Sequence, residues 1–103
     1  MTVKQYEIYW VDLNPTIGNE MNKISPCVVV SPDDMNPYLN TIIIAPVTST
    51  QKTYPYRVRC NIGDIALDQL RTVDKTRVRD FIQKLSVENI KTVKYILKEM
   101  LVD

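Results

Sequence analysis

The run Thr41-Ile42-Ile43-Ile44-Ala45-Pro46-Val47-Thr48 is the most β-prone stretch of this chain. Three consecutive isoleucines flanked by threonine and valine suit a pleated, buried strand far better than a helix. Pro46 has no N–H to give to a ladder, so the far end of the strand is expected at an edge or a bulge. On its N-terminal side, Cys27 to Ser31 is a short apolar run, expected as a strand covered on both faces. Pro32 ends it, and Asp33 to Pro37 reads as a turn or a single helical turn. Further back, Glu7-Ile8-Tyr9-Trp10-Val11-Asp12-Leu13 alternates and is rich in aromatic and β-branched residues, which makes another strand. Asn14-Pro15 breaks it, and a polar loop containing Gly18 runs on to Pro26.

On the C-terminal side, Tyr56 to Cys60 alternates, Asn61-Ile62-Gly63-Asp64 reads as a tight turn, and Ile65-Ala66-Leu67 follows as a strand. A further strand passes through Leu70-Arg71-Thr72-Val73, and Asp80 to Leu85 is compatible with a short one. Then the period changes. Val87, Ile90, Val93, Leu97 and Met100/Leu101 recur at spacings of three and four, with lysines at 91, 94 and 98 elsewhere around the helix. Ser86 is placed to cap it and Glu88 to complement its dipole. The expected architecture is α+β and mainly β: one small antiparallel sheet or partly open barrel, closed by a C-terminal helix.

The 103 residues fit a single domain, 1–103, with no repeat, low-complexity tract or linker. With 45% hydrophobic and 24% charged residues the composition is that of a globular chain. There is no histidine, which excludes a His-based triad, a paired-histidine acid/base and a His-ligated metal. Two cysteines are too few for a disulfide scaffold, a Cys-only zinc site or an iron–sulfur cluster, and both are expected as buried thiols on strands. No metal or cofactor is expected. The first seven residues lack the apolar core of a signal peptide, and no apolar run reaches membrane-spanning length, so no membrane association and a cytoplasmic location are expected.

The net charge of +1 is unevenly distributed. Residues 1–40 carry a net −3, and residues 51–79 a net +4. A basic stretch interleaved with Tyr54 and Tyr56 suits phosphates and stacked bases, and equally suits ordinary solvated strand faces.

Five segments taken in series are similar to the MazF/PemK family of toxin endoribonucleases. They are Tyr6 to Glu20, Pro26 to Asn36, Ile43 to Thr50, Tyr54 to Val58, and Leu67-Asp68-Gln69-Leu70-Arg71-Thr72-Val73-Asp74. Together they span roughly residues 6–85, in family order and with family-like spacings. The resemblance implies an SH3-like barrel of the CcdB/MazF type, a homodimer, metal-independent cleavage of single-stranded RNA, and a MazE-like antitoxin whose acidic tail lies across the RNA groove.

It also implies site residues. Thr48 stands at the catalytic threonine ending the third strand, whereas Ser25 occupies the position of the family arginine. A serine hydroxyl cannot reproduce a fixed, permanently charged guanidinium fork, and losing one such donor costs about 10²–10³ in rate. Three explanations fit: Lys23 or Arg71 substitutes for it, the chain is a weakened homologue, or Ser25 is a deliberate replacement in a toxic protein. Glu20 matches a family carboxylate suited to acting as base or orienting a cation. Asp68 matches a carboxylate proposed as base in some relatives, and has a structural alternative, pairing with Arg71 or a backbone amide. Asn19, Lys23, Gln69, Arg71, Lys52 and Tyr54 are the implied RNA contacts, while Trp10 belongs more naturally to the core or a dimer interface. The alternative function on the same fold is a non-catalytic decoy that binds antitoxin, or a gyrase-directed CcdB-like toxin.

Overall fold

The structure, a computed structural model, describes residues 2–15, 23–50 and 53–102. Seven strands are formed: β1 (Glu7–Asp12), β2 (Ile24–Val29), β3 (Thr41–Thr48), β4 (Arg57–Cys60), β5 (Gly63–Ala66), β6 (Arg71–Asp74) and β7 (Val78–Lys84). Short 3₁₀ turns at Leu67–Gln69 and Lys75–Arg77 flank β6, and helix α1 (Val87–Leu101) ends the chain. The sheet is antiparallel, in the order β4-β5-β3-β2-β1-β7, with β6 added beside β3. Its two ends are linked by the side-chain amides of Asn61 and Gln83, which exchange hydrogen bonds of 3.4 and 2.7 Å. This is the partly open antiparallel barrel with a C-terminal helix that the alternation and the period change lead one to expect, and it agrees with the SH3-like barrel that the family resemblance implies.

The central strand explains its own proline. One edge of β3 is shared: residues 41–44 pair with β6 and residues 47–48 with β5, while on the other edge Cys27 faces Pro46. Ala45 and Pro46 therefore fall in the gap between two partners. The missing N–H sits where that edge changes neighbours, neither at a free edge nor at a bulge.

Side-chain alternation feeds two apolar clusters, one on each face of the sheet. Val28, Ala45 and Val47 join Ile8, Val58, Ile65 and Leu67 in the cluster that α1 covers with Val93. Cys27, Val29, Ile42 and Ile44 join Tyr9, Val11 and Val73 in the other. The Cys27–Ser31 run is thus buried on both faces, as its continuous apolarity predicts. Cys27 and Cys60 are buried free thiols. Trp10 is 42% exposed in the single chain, which places it outside the core, the first of its two expected settings.

Helix α1 is capped as the sequence indicates. The Ser86 hydroxyl accepts the Asn89 N–H at 3.1 Å, and Asn89 Nδ2 donates onward to the Arg59 carbonyl of β4 at 3.0 Å. Ile90, Val93, Leu97 and Met100 turn inward with Ile96, whereas Val87 and Leu101 remain exposed. None of the described helices is long and apolar enough to cross a membrane.

Candidate active site

The register of β2 and β3 sets the site. Cys27 lies opposite Pro46, and the same antiparallel register continued by two residues places Ser25 across from Thr48. Both line a groove of about 620 Å³, together with Leu13, Pro26, Pro46, Ser49, Ile62 and the run Gln69-Leu70-Arg71. Four residues expected from the sequence therefore converge: Ser25, Thr48, Gln69 and Arg71. They come from β2, β3, the Leu67–Gln69 turn and β6, which the sheet order brings side by side.

Thr48 is oriented by its own backbone. Its Oγ1 accepts the Thr50 N–H at 3.1 Å, which directs the hydroxyl proton away from that bond and frees it to donate. On its other side Thr48 faces Asp64 of β5. Close approach there is permitted by Gly63, whose φ of 146° and missing side chain leave room for the Thr48 carbonyl.

The basic stretch is mostly spent on internal contacts. Arg57 pairs with Asp68 at 2.7 Å, Arg59 with Asp64 at 2.6 Å, and Arg79 with the buried Asp12 at 3.4 Å. Arg77 donates to the carbonyls of Asp12, Asn14 and Pro15, and the Lys75 ammonium to the carbonyl of Asn36. One of these contacts, Arg79 with Asp12, is an ion pair between the basic central region and the acidic N-terminal one, and it joins β7 to β1. Arg71 differs. It is exposed, lines the groove, and has no carboxylate partner among the described residues.

Asp68 lies elsewhere. It is absent from the groove lining, and its carboxylate is gripped by Arg57 Nε and Nη2 at 2.7 and 3.3 Å. The expected ion pair with Arg71 is therefore replaced by one with Arg57, which sequence distance hides and which the β4–β5 hairpin creates, while a backbone amide also bonds the carboxyl. The Arg57 hydrogen bonds hold the Asp68 carboxyl below its ordinary value. Lys23 is exposed and outside the groove lining; its carbonyl accepts the Leu13 N–H at 2.9 Å. Tyr54 is half exposed, with its ring 4.9 Å from the Arg57 guanidinium carbon. Asn19, Glu20 and Lys52 lie outside the described residues. Leu13, Pro26, Ile62 and Leu70, which supply apolar wall, were not singled out by sequence reasoning; nothing in their types marks them apart from core residues. Among the described residues no group of three or more His, Cys, Asp or Glu side chains is placed to hold a metal.

An open β-barrel with a cationic, hydroxyl-bearing groove is suited to phosphodiester chemistry. The chain belongs to the family described as PemK-like, MazF-like toxins of type II toxin–antitoxin systems, whose profile matches residues 4–101. It is 34% identical over 98 residues to Endoribonuclease EndoA of Bacillus subtilis, covering 85% of this chain and 84% of that protein. It is 30% identical over 101 residues to Endoribonuclease MazF of Staphylococcus saprophyticus, covering 88% and 84%. In fold it matches a MazE–MazF crystal structure from Deinococcus radiodurans with a TM-score of 0.84 at 22% identity, over 99% of this chain and 98% of that one. A mycobacterial endoribonuclease in complex with its cognate antitoxin gives a TM-score of 0.83 at 18% identity, covering 97% and 95%. The decoy and gyrase-directed alternatives are not favoured by these matches.

Proposed function

We propose that this toxin cuts single-stranded RNA in the groove between β2, β3 and residues 69–71, with Arg71 and Thr48 acting on the scissile phosphate. The observation that carries the reading is the contrast among the arginines. Arg57, Arg59, Arg77 and Arg79 are engaged by carboxylates or carbonyls, while Arg71 faces the groove beside Ser25 and Thr48 without a carboxylate partner. Of the two substitutes for the family arginine, Arg71 is therefore preferred over Lys23.

The chemistry follows from these groups. The neighbouring 2′-oxygen attacks phosphorus, the new O–P bond forms, and the bond to the 5′-oxygen breaks, leaving a 2′,3′-cyclic phosphate and a 5′-hydroxyl. Charge accumulates on the non-bridging oxygens, where a guanidinium and a hydroxyl donor stabilise it. The proton leaving the 2′-hydroxyl returns to the departing 5′-oxygen through a base. Glu20, the carboxylate that the family resemblance offers as that base, lies outside the described residues. Gln69, carrying both donors and an acceptor, is suited to reading the edge of an unstacked base. The assembly is a cytoplasmic homodimer, and a MazE-like antitoxin with an acidic segment inhibits it by occupying the same cation.

The test is cleavage of a randomised single-stranded RNA pool in EDTA, with end-group analysis. The parent is expected to give 5′-hydroxyl and cyclic or 3′-phosphate ends, and Arg71→Gln to be slowed by about 10²–10³. Ser25→Arg is expected to raise the rate and to restore part of what Arg71→Gln loses. If Ser25→Arg is as inert as an inert parent across the pool, the ribonuclease reading fails.

A further inference from the structure

The Leu67–Gln69 turn delivers Gln69, Leu70 and Arg71 to the groove, yet little in its own sequence holds it. It is three residues long, and Ala66 at its start contributes no side-chain cap. Two ties fix it from outside. Leu67 is fully buried and its N–H donates to the Tyr56 carbonyl at 3.0 Å. The next residue, Asp68, accepts from Nε and Nη2 on one edge of the Arg57 guanidinium at 2.7 and 3.3 Å.

Arg57 is itself constrained. It sits opposite Ala66 in the β4–β5 ladder, its side chain is 7% exposed, and the Tyr54 ring lies 4.9 Å from its guanidinium carbon. A planar fork between a ring and a carboxylate has few orientations, so it transmits the geometry of β4 to the turn.

We infer that Arg57 and Asp68 are a positioning pair: they fix the Leu67–Gln69 turn, and through it the approach of Gln69 and Arg71 to bound RNA, and Asp68 is not the base. This rests on the RNA reading of the groove. A base must reach the 2′-hydroxyl, and the Asp68 carboxylate lies outside the groove lining with its oxygens taken by Arg57.

A double-mutant cycle on the full chain tests it, using Arg57→Gln, Asp68→Asn and their combination. The primary readout is the Gln69 side-chain amide resonance, followed by NMR. It is expected to move equally in both single variants and no further in the double; unequal or absent shifts overturn the pairing. This readout holds whether or not RNA is cut, so a failure of the ribonuclease reading stays distinguishable. With a single-stranded oligonucleotide 2′-O-methylated throughout, each single variant is expected to bind about tenfold or more weakly, again without added loss in the double. Arg57→Lys restores part of that binding. In cleavage, kcat/KM should fall by the same factor in Arg57→Gln and Asp68→Asn, and the pH profile of kcat in Asp68→Asn should stay that of the parent. Loss of kcat in Asp68→Asn at unchanged oligonucleotide affinity would make Asp68 chemical and sink the proposal.

Discussion

Gly63 and Thr48 show how one atom's worth of space serves the site. A Cβ built on Gly63 would lie 2.5 Å from the Thr48 carbonyl oxygen, and the φ of 146° is one that L side chains rarely adopt. Gly63→Ala is expected to lower stability by about 1–3 kcal/mol, read as a drop in the urea midpoint. It should also slow RNA cleavage, because the strand must move at Thr48, the residue proposed to donate to the phosphate. An unchanged midpoint and rate would mean that β5 relaxes without disturbing β3. The sequence showed a turn at Asn61–Asp64. It could not show which neighbour that glycine admits, because Thr48 is brought there by strand order alone.

Helix α1 carries its boundaries in its sequence and its purpose in its contacts. Ser86 caps the Asn89 amide and Asn89 bonds to the Arg59 carbonyl, so the first turn is tied both to itself and to β4. Ser86→Ala should cost about 1 kcal/mol in a thermal or urea melt, in the usual range for an N-cap. Val93 is fully buried in the cluster that also holds Val58 and Leu67. By that route the helix supports the hairpin and turn from which Arg57 and Asp68 reach each other. The heptad-like spacing made this helix legible. Which of its apolar residues stay exposed, Val87 and Leu101 among them, depends on how far the sheet extends beneath it.

At the scale of the molecule, the absence of histidine has a consequence for stability as well as chemistry. No side chain with an ordinary pKa near neutrality is present, so stability should be level between about pH 5 and 8. Below that range Asp68 and Asp74 contribute, among the described residues. Asp68 is lowered by Arg57 and Asp74 by the Thr76 amide, so each contributes stability above its unfolded value of about 3.9 that is lost as pH falls through the lowered folded value. On the alkaline side, burial pushes the Cys27 thiol up to about 12, and burial with the nearby Glu7 carboxylate pushes Tyr9 up to about 12. Their folded values exceed the unfolded ones, so their contribution is complete below about pH 8.5 and declines as the unfolded chain ionises above it. A melting-temperature profile should thus show a plateau with shoulders near pH 4 and pH 9. A slope across pH 6–7 would contradict it.

Element order, the strand at Thr41–Thr48, the capped helix and the identity of Thr48 and Arg71 as residues of interest all follow from local pattern and motif. Alternation and periodicity are properties of neighbours in the chain, and a sequence records those directly. Pairing across the sheet is not recorded there. That Pro46 sits between two partner strands, that Asp68 belongs to Arg57, and that Arg71 is the cation lining the groove among the described residues emerge from contacts between residues distant in sequence. The +4 stretch reads as a broad basic surface in one dimension. In the fold Arg57, Arg59 and Arg79 meet carboxylates, Lys75 and Arg77 meet backbone carbonyls, and Arg71 is the cation that lines the groove among the described residues, because such partners are set by position in space and not by order in the chain.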